Sequence, residues 1–557
     1  MPRYVADMED GELDSLLQRF GLQALAYLLN LEPDRSVADQ VSGSLTDGQV
    51  ATVSILRDDA PAAVPAVDAW VRDSMHDSML ASWLCQPAGD DTLAILLRSM
   101  SGGAIPRPTS GDAVAAAILK LLPAAYPLML LPRVGMNMSG GSELLAPSFN
   151  HPNSPLAKAA MLDDPDLRAL FTEANGASLS APYVTAFGGN AIQDWAFPCI
   201  ALGHAWFRAR LDRLTPTPDD VARALEGTLS DLRGLGRHET VEIPVRVGLS
   251  GVKLPSGHPG FSVKGVTVRP SEPRDDWLAW RFDKDRDTVA GIADNGVQQA
   301  VRYSGDLIVE LSVEWLAYLG SWDFEKGWPR HLLEGQERLS QAVDDIRLAL
   351  ALIPSKHHDP VLSQQSWRAV FEPTSIAPNS NWRSREYNLR IRPRTLLGNE
   401  VEEWQLLVER VVAADLSHIR IAVSRTLQAL GERSEFHDIL IDSVMAWENL
   451  FGARSDTVFR VTGSLAVLLG TNAEDRRALL KELRKLYDLR SAVVHGSAEI
   501  GPDDAVQSDR ATNIALSALH TLLISRQDLL DEADGAHRSN KLLVVGLDPV
   551  ADPDARQ

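Results

Sequence analysis

Apolar residues change their period along the chain. Up to about residue 235 they fall at helical spacing, in Ala- and Leu-rich runs broken by Gly, Pro and Ser clusters such as SGGAIPRPTSGD and APSFNHPNSP. Near residue 240 the period drops to two. Val241, Ile243, Val245 and Val247 alternate, as do Leu307, Val309, Leu311 and Val313. Successive strand side chains point to opposite faces, so both runs predict strands. Pro244 lacks the amide N–H that an inner ladder uses and predicts an edge position for the first run. GHPGFSVKGVTVRP predicts another strand with turns. SQAVDDIRLALALIP (340–354) returns to helical spacing, while SKHHDPVLSQ and FEPTSIAPNSNWRSREYN read as loops.

From about residue 400 the pattern is helical again. Trp404, Leu407, Val411, Ile419, Val423, Leu427 and Leu430 mark one amphipathic stretch, long enough for two helices. Ile439, Leu440, Val444, Trp447, Leu450 and Phe451 mark the next. Thr471 followed by Glu474 is a capping-box pattern opening a further helix, and Gly496 suits the left-handed position that closes it. Ile514, Leu519, Leu522, Leu523 and Leu530 mark a last one. The pattern predicts an α+β multidomain protein: an α-rich region over 1–235, a β-rich domain over 236–335, a helix and linker over 336–399, an antiparallel helical bundle over 400–535 and a C-terminal tail over 536–557.

Composition narrows the class. At 557 residues the chain exceeds one ordinary core. Its two cysteines, Cys85 and Cys199, cannot build a disulfide framework or a thiolate zinc site, and they fit a reducing cytoplasm. The acidic start MPRYVADMEDGELDSLLQRF does not read as a secretory leader. AVAAAILKLLPAAYPLMLLP (113–132) is interrupted by Lys120, Pro123 and Pro127; a buried, proline-broken helix is expected there, with no membrane association. A formal charge of −21 excludes general coating of nucleic acid, so any nucleic-acid contact needs a local basic surface. Over 476–494 stand Arg476, Arg477, Lys481, Arg484, Lys485 and Arg490 against Glu482 and Asp488. That segment is either a solvated face or a track for RNA.

The same segment carries the main chemical candidate. In LYDLRSAVVHG (486–496), Leu483, Leu486, Tyr487 and Val494 lie three, four or seven residues from Arg490, which puts the arginine on an apolar stripe. A guanidinium there needs water or a partner. One reading pairs it with a carboxylate such as Glu448, leaving His495 to favour the negative end of the helix dipole. The other is catalytic. Five residues separate two helical side chains by about 140°, so Arg490 and His495 do not share a face, and a second copy related by a twofold axis would bring the two types together.

The run LYDLRSAVVHG, with DILIDSVMAWENLFG (438–452) and FRVTGSLAVLLG (459–470) before it, resembles the Arg-x4-6-His motif region of HEPN-domain proteins, in the Apea-like branch. The resemblance covers about 240–545 and is strongest over 400–530. It implies a helical bundle that dimerises and a metal-independent endoribonuclease with no cofactor. Arg490 would hold the scissile phosphate and His495 would act as general base or acid toward the ribose 2′-OH or the leaving oxygen. Glu448 would orient Arg490, with Ser491, Asn449 and Tyr487 in support and Lys481, Arg484 and Lys485 binding RNA. The expected role is an effector of bacterial antiviral or toxin-like defence, acting as a homodimer or higher even-numbered oligomer, with earlier regions sensing a phage-derived or other protein trigger. Ser491 departs from the more strongly polar residue many active relatives carry. A non-catalytic dimerisation or RNA- or protein-binding scaffold is the alternative.

Other candidates weigh less. His357-His358-Asp359 lacks a third converging ligand and reads as a loop. Eight tryptophans lie in 277–404: Trp277, Trp280, Trp315, Trp322, Trp328, Trp367, Trp382 and Trp404. Packing between the β-rich domain and the bundle is expected of them before base stacking. SGGSELL and SGHPG have neither phosphate-loop spacing nor a following lysine.

Overall fold

The computed structural model describes residues 10–545, apart from 33–44, 62–68, 132–141, 176–177, 186–187, 280–287, 293–297, 303–304, 321–322, 324, 326, 328–329, 354–359, 383–392 and 498–504. The molecule is an α+β protein with helices first, antiparallel sheets in the centre and a helical bundle last. His357, His358, Asp359, Trp280, Trp322 and Trp328 lie outside the described residues.

The first helices, among them Asp10–Leu28, Asp47–Asp58 and Ala69–Leu84, pack around the apolar segment 113–131. That segment is a helix, one 3₁₀ turn and a second helix containing Pro127, nearly all buried. Among the described residues no helix is long and apolar enough to cross a membrane. The region also holds strands that periodicity did not announce. β1 (Glu173–Asn175), β2 (Ser178–Thr185) and β3 (Gly188–Gln193) form an antiparallel sheet, followed by α1 (Phe197–Ala209) and α2 (Pro218–Gly236). Ser, Ala, Gly and Pro182 in these strands leave too few large apolar residues to register an alternation.

The central sheet has six strands. They are β4 (Val241–Ser250), β5 (Phe261–Val263), β6 (Val266–Pro270), β7 (Leu307–Trp315), β9 (Gln364–Val370) and β10 (Asn379–Trp382), with β8 (Tyr318–Leu319) lying between β7 and β9 in the chain. Their spatial order is β10-β9-β4-β7-β6-β5. Val241, Ile243, Val245, Val247 and Leu249 are all buried, as the alternation predicts. The edge position expected for β4 is corrected, because the strand is central. Pro244 fits because its carbonyl accepts from the Phe371 amide just past the end of β9, and its missing N–H faces that same flank, where the ladder has stopped. Lys264 and Gly265, both at positive φ, make the tight turn between β5 and β6. β10 falls in a stretch that reads as loop, and β9 lies in the gap between the two loop-like stretches, sharing only Gln364 with the first. Every residue of Gln364–Val370 is buried, so a two-residue period has no chance to appear.

One stretch of chain serves both sheets. β7 ends at Trp315, and β8 pairs with β2 through Tyr318 opposite Val184 and Leu319 opposite Tyr183. Between the sheets the buried Glu372 carboxylate accepts from Thr185 Oγ1 at 3.0 Å and from Trp315 Nε1 at 3.1 Å.

The bundle docks on α3 (Arg330–Ala351). It comprises α4 (Gly398–Ala413), α5 (Arg420–Gly431), α6 (Phe436–Phe451), α7 (Thr457–Leu469), α8 (Ala473–Val494) and α9 (Ala505–Ile524). Trp404 does what the tryptophan cluster predicts. Its ring meets Phe261 of β5 at 5.0 Å and its Nε1 donates to the Ile346 carbonyl of α3 at 3.1 Å. Arg347 of α3, 2% exposed, pairs with Glu432 at 2.8 Å, and Arg420 pairs with Asp345. The C-terminal segment is more than a tail from residue 536. α10 (Gly535–Asn540) and a π-helical turn to Val545 pack on α6 and α7.

Candidate active site at the end of the bundle

α8 begins one residue later than its capping pattern suggests. The cap is Asn472, whose Oδ1 accepts from the Glu474 and Asp475 amides, both at 2.9 Å. Thr471 instead donates its hydroxyl to the Asp475 carboxylate. An Asn amide oxygen reaches two orphan N–H groups of the first turn, which a hydroxyl one residue further back does not. The end matches expectation. Gly496 has φ 69°, its N–H donates to the Val493 carbonyl at 3.0 Å, and the Ser497 N–H donates to Ala492 at 2.8 Å. This paired closure fixes His495 as the C-terminal cap, one residue past Val494.

Leu483, Leu486 and Tyr487 anchor α8 on the core, while Val494 is half exposed, so the apolar stripe opens to solvent at its end. Arg490 lies at that opening, with 21% of its side chain exposed. The last turn of α6 brings Glu448 opposite. Tyr487 Oη donates to Glu448 Oε1 at 2.5 Å, and Arg490 Nη2 stands 3.6 Å from Glu448 Oε2. That separation is an ion-pair distance but is long for a hydrogen bond. Arg490 Nε is buried and has no hydrogen-bond partner among the described residues. Burial, then the Glu448 bond and charge, push the Tyr487 phenol up to about 12, with Arg490 opposing, so it remains a donor at neutral pH.

The structure therefore unites Arg490, Tyr487 and Glu448. It places three other candidates elsewhere. Asn449 is occupied: its Oδ1 accepts from the Ala422 amide at 3.0 Å, in the first turn of α5, so it caps that helix. His495 is exposed, and helical geometry sets it about 140° around α8 from Arg490. Ser491, one residue from Arg490, is rotated about 100° toward that outer side. Lys481, Arg484 and Lys485 share an open surface with Arg477, Leu480 and Asp488. Sequence reasoning counted Arg477 among the charges without placing it here, although its spacing of four and seven from Lys481 and Arg484 carries that information. Among the described residues no three His, Cys, Asp or Glu side chains group as a metal site.

In chemical terms, the arrangement offers a planar cation with spare donor capacity beside a helix terminus bearing an exposed imidazole. Comparison of the chain with protein-family models, with curated proteins and with solved structures found no match.

Proposed function

We propose that the chain is a metal-independent endoribonuclease of HEPN type, an effector of bacterial antiviral or toxin-like defence that works as a homodimer. The observation that carries this reading is the state of Arg490: half-buried, held at 3.6 Å from one carboxylate oxygen, with Nε unpartnered among the described residues. A guanidinium so placed can exchange a weak carboxylate contact for a bidentate phosphate contact. In this reading Arg490 stabilises charge on the scissile phosphate, and His495 takes the 2′-OH proton or protonates the leaving oxygen. Attack by the 2′-OH forms the new P–O bond, expels the 5′ oxygen of the next nucleotide and leaves a cyclic phosphate end. DNA, lacking that hydroxyl, stays intact. The 140° between the two side chains is what a twofold seam between bundles would resolve.

The test is RNA cleavage by purified protein in the presence of a chelator. Arg490→Ala and His495→Ala should each lower the rate at least about a thousandfold with the oligomer preserved. Parent-like cleavage by either variant rules out the site. A second reading, a non-catalytic scaffold, is favoured by one feature: within one copy Glu448 and Tyr487 already occupy Arg490's surroundings, as in a structural pair. It predicts that overexpression leaves growth unchanged and that RNA stays uncut, whereas toxicity relieved by His495→Ala supports the enzyme.

A further inference from the structure

Outside the Arg490 cluster, α8 carries a second, straight row of side chains. Arg477, Lys481, Arg484, Asp488, Ser491 and His495 follow one another at intervals of four, three, four, three and four residues. That alternation holds a constant azimuth on an α-helix, and Lys485 flanks the row. From Arg477 to His495 is eighteen residues, five turns and about 27 Å of axis. Arg477, Lys481, Arg484 and Lys485 are all exposed, and none of the four makes an ion pair with a described residue. The chain has 75 acidic and 54 basic residues, and many of its other arginines have carboxylate partners, such as Arg233, Arg237, Arg269 and Arg433. Glu482, the acidic neighbour most able to neutralise the row, is held by Arg510 at 2.8 Å and 3.0 Å on the adjoining helix.

We infer that this row is a track for the phosphate backbone of single-stranded RNA, delivering the strand lengthwise to Ser491 and His495. The inference deepens the proposed function and rests on it for the identity of the strand. The row is narrow and, among the described residues, only α8 lines it, which suits one line of phosphates and not the two of a duplex. No aromatic side chain stands in it, Tyr487 being on the buried face, so bases have no stacking platform and binding is indifferent to sequence. Asp488 interrupts the cations ahead of Ser491 and His495 and weakens the grip there.

The experiment uses the full chain carrying His495→Ala and a labelled, unstructured 15-nucleotide RNA, read by fluorescence anisotropy across a salt series. Four phosphate contacts give a log Kd against log salt slope of about 3. Arg477→Glu with Arg484→Glu should weaken binding at least about tenfold and lower that slope by more than about 1, with an unchanged melting curve. Asp488→Asn should tighten binding about two- to fivefold. Parent-like affinity in the double variant overturns the track, as does tighter binding of duplex RNA, or displacement of the RNA by a poly-glutamate peptide at equal charge. Binding is read on a chain without the imidazole, so a parent protein that fails to cleave leaves the result standing. Cleavage that persists at the parent rate in the double variant removes the track but not the nuclease.

Discussion

Two arginines of the same bundle meet opposite fates. Arg538 on α10 is fully buried, and all its bonds go to backbone carbonyls: Leu450 at 2.7 Å, Glu532 at 3.0 Å, Asn449 at 3.1 Å and His418 at 3.5 Å. Two of these acceptors belong to the last turn of α6, where carbonyls lack helical partners and the dipole is negative. Arg490 meets the same last turn of α6 at Glu448. It finds one carboxylate oxygen at 3.6 Å and, among the described residues, leaves Nε without an acceptor. A guanidinium with every nitrogen engaged closes a structure, and one with a nitrogen to spare can accept a ligand. The difference lies in the neighbours, since the residue type is the same.

Removing each arginine should therefore read out differently. Arg538→Ala is expected to cost about 3–5 kcal/mol, because it strands several buried carbonyls at once, and a fall in melting temperature of the full chain measures it. The same satisfaction rule applies to a carboxyl. Burial pushes Glu372 up to about 7 against the Thr185 and Trp315 hydrogen bonds. A carboxyl raised on folding contributes most below its ordinary range and loses that contribution as pH climbs through about 7. Stability should fall by on the order of 3 kcal/mol between about pH 5 and pH 8, and Glu372→Gln should flatten the profile in denaturant melts at the two pH values. Tyr487→Phe removes one hydrogen bond to a charged group and should cost about 1.5 kcal/mol by the same melts. If Tyr487 is what keeps Glu448 at a distance, this variant should also reduce cleavage without loss of RNA affinity. Arg490→Ala should cost under about 1 kcal/mol of stability. A loss as large as that of Arg538→Ala would place Arg490 with the closed kind and dissolve the contrast.

The sequence made some of this legible and hid the rest for physical reasons. The three- and four-residue spacing of Leu483, Leu486 and Tyr487 put Arg490 at the core's edge, and the structure agrees. The β4 and β7 alternation was equally clear, because each strand has one face that must be apolar. Gln364–Val370 was not, since both faces are covered and its polar residues are buried with the rest. Arg538 could not be foreseen, because HRSN gives no sign that backbone carbonyls from three other segments will converge on it. Asn449 read as part of the site because it adjoins Glu448, yet one residue along a helix turns a side chain by about 100°, here toward α5. His495 is the reverse case: its distance in sequence from Arg490 was already enough to show that the two diverge.

The stretch of chain that runs from β7 in one sheet to β8 in the other sets a limit on how this molecule can be divided. A fragment starting at Val241 would keep Tyr318 and Leu319 but lose their ladder on Tyr183 and Val184, and Glu372 would lose the Thr185 hydroxyl. The helical first part and the sheet behind the bundle are thus sewn together by a shared thread. A disturbance at the front has a covalent, hydrogen-bonded route toward the back, and trimming experiments will have to respect that stitch.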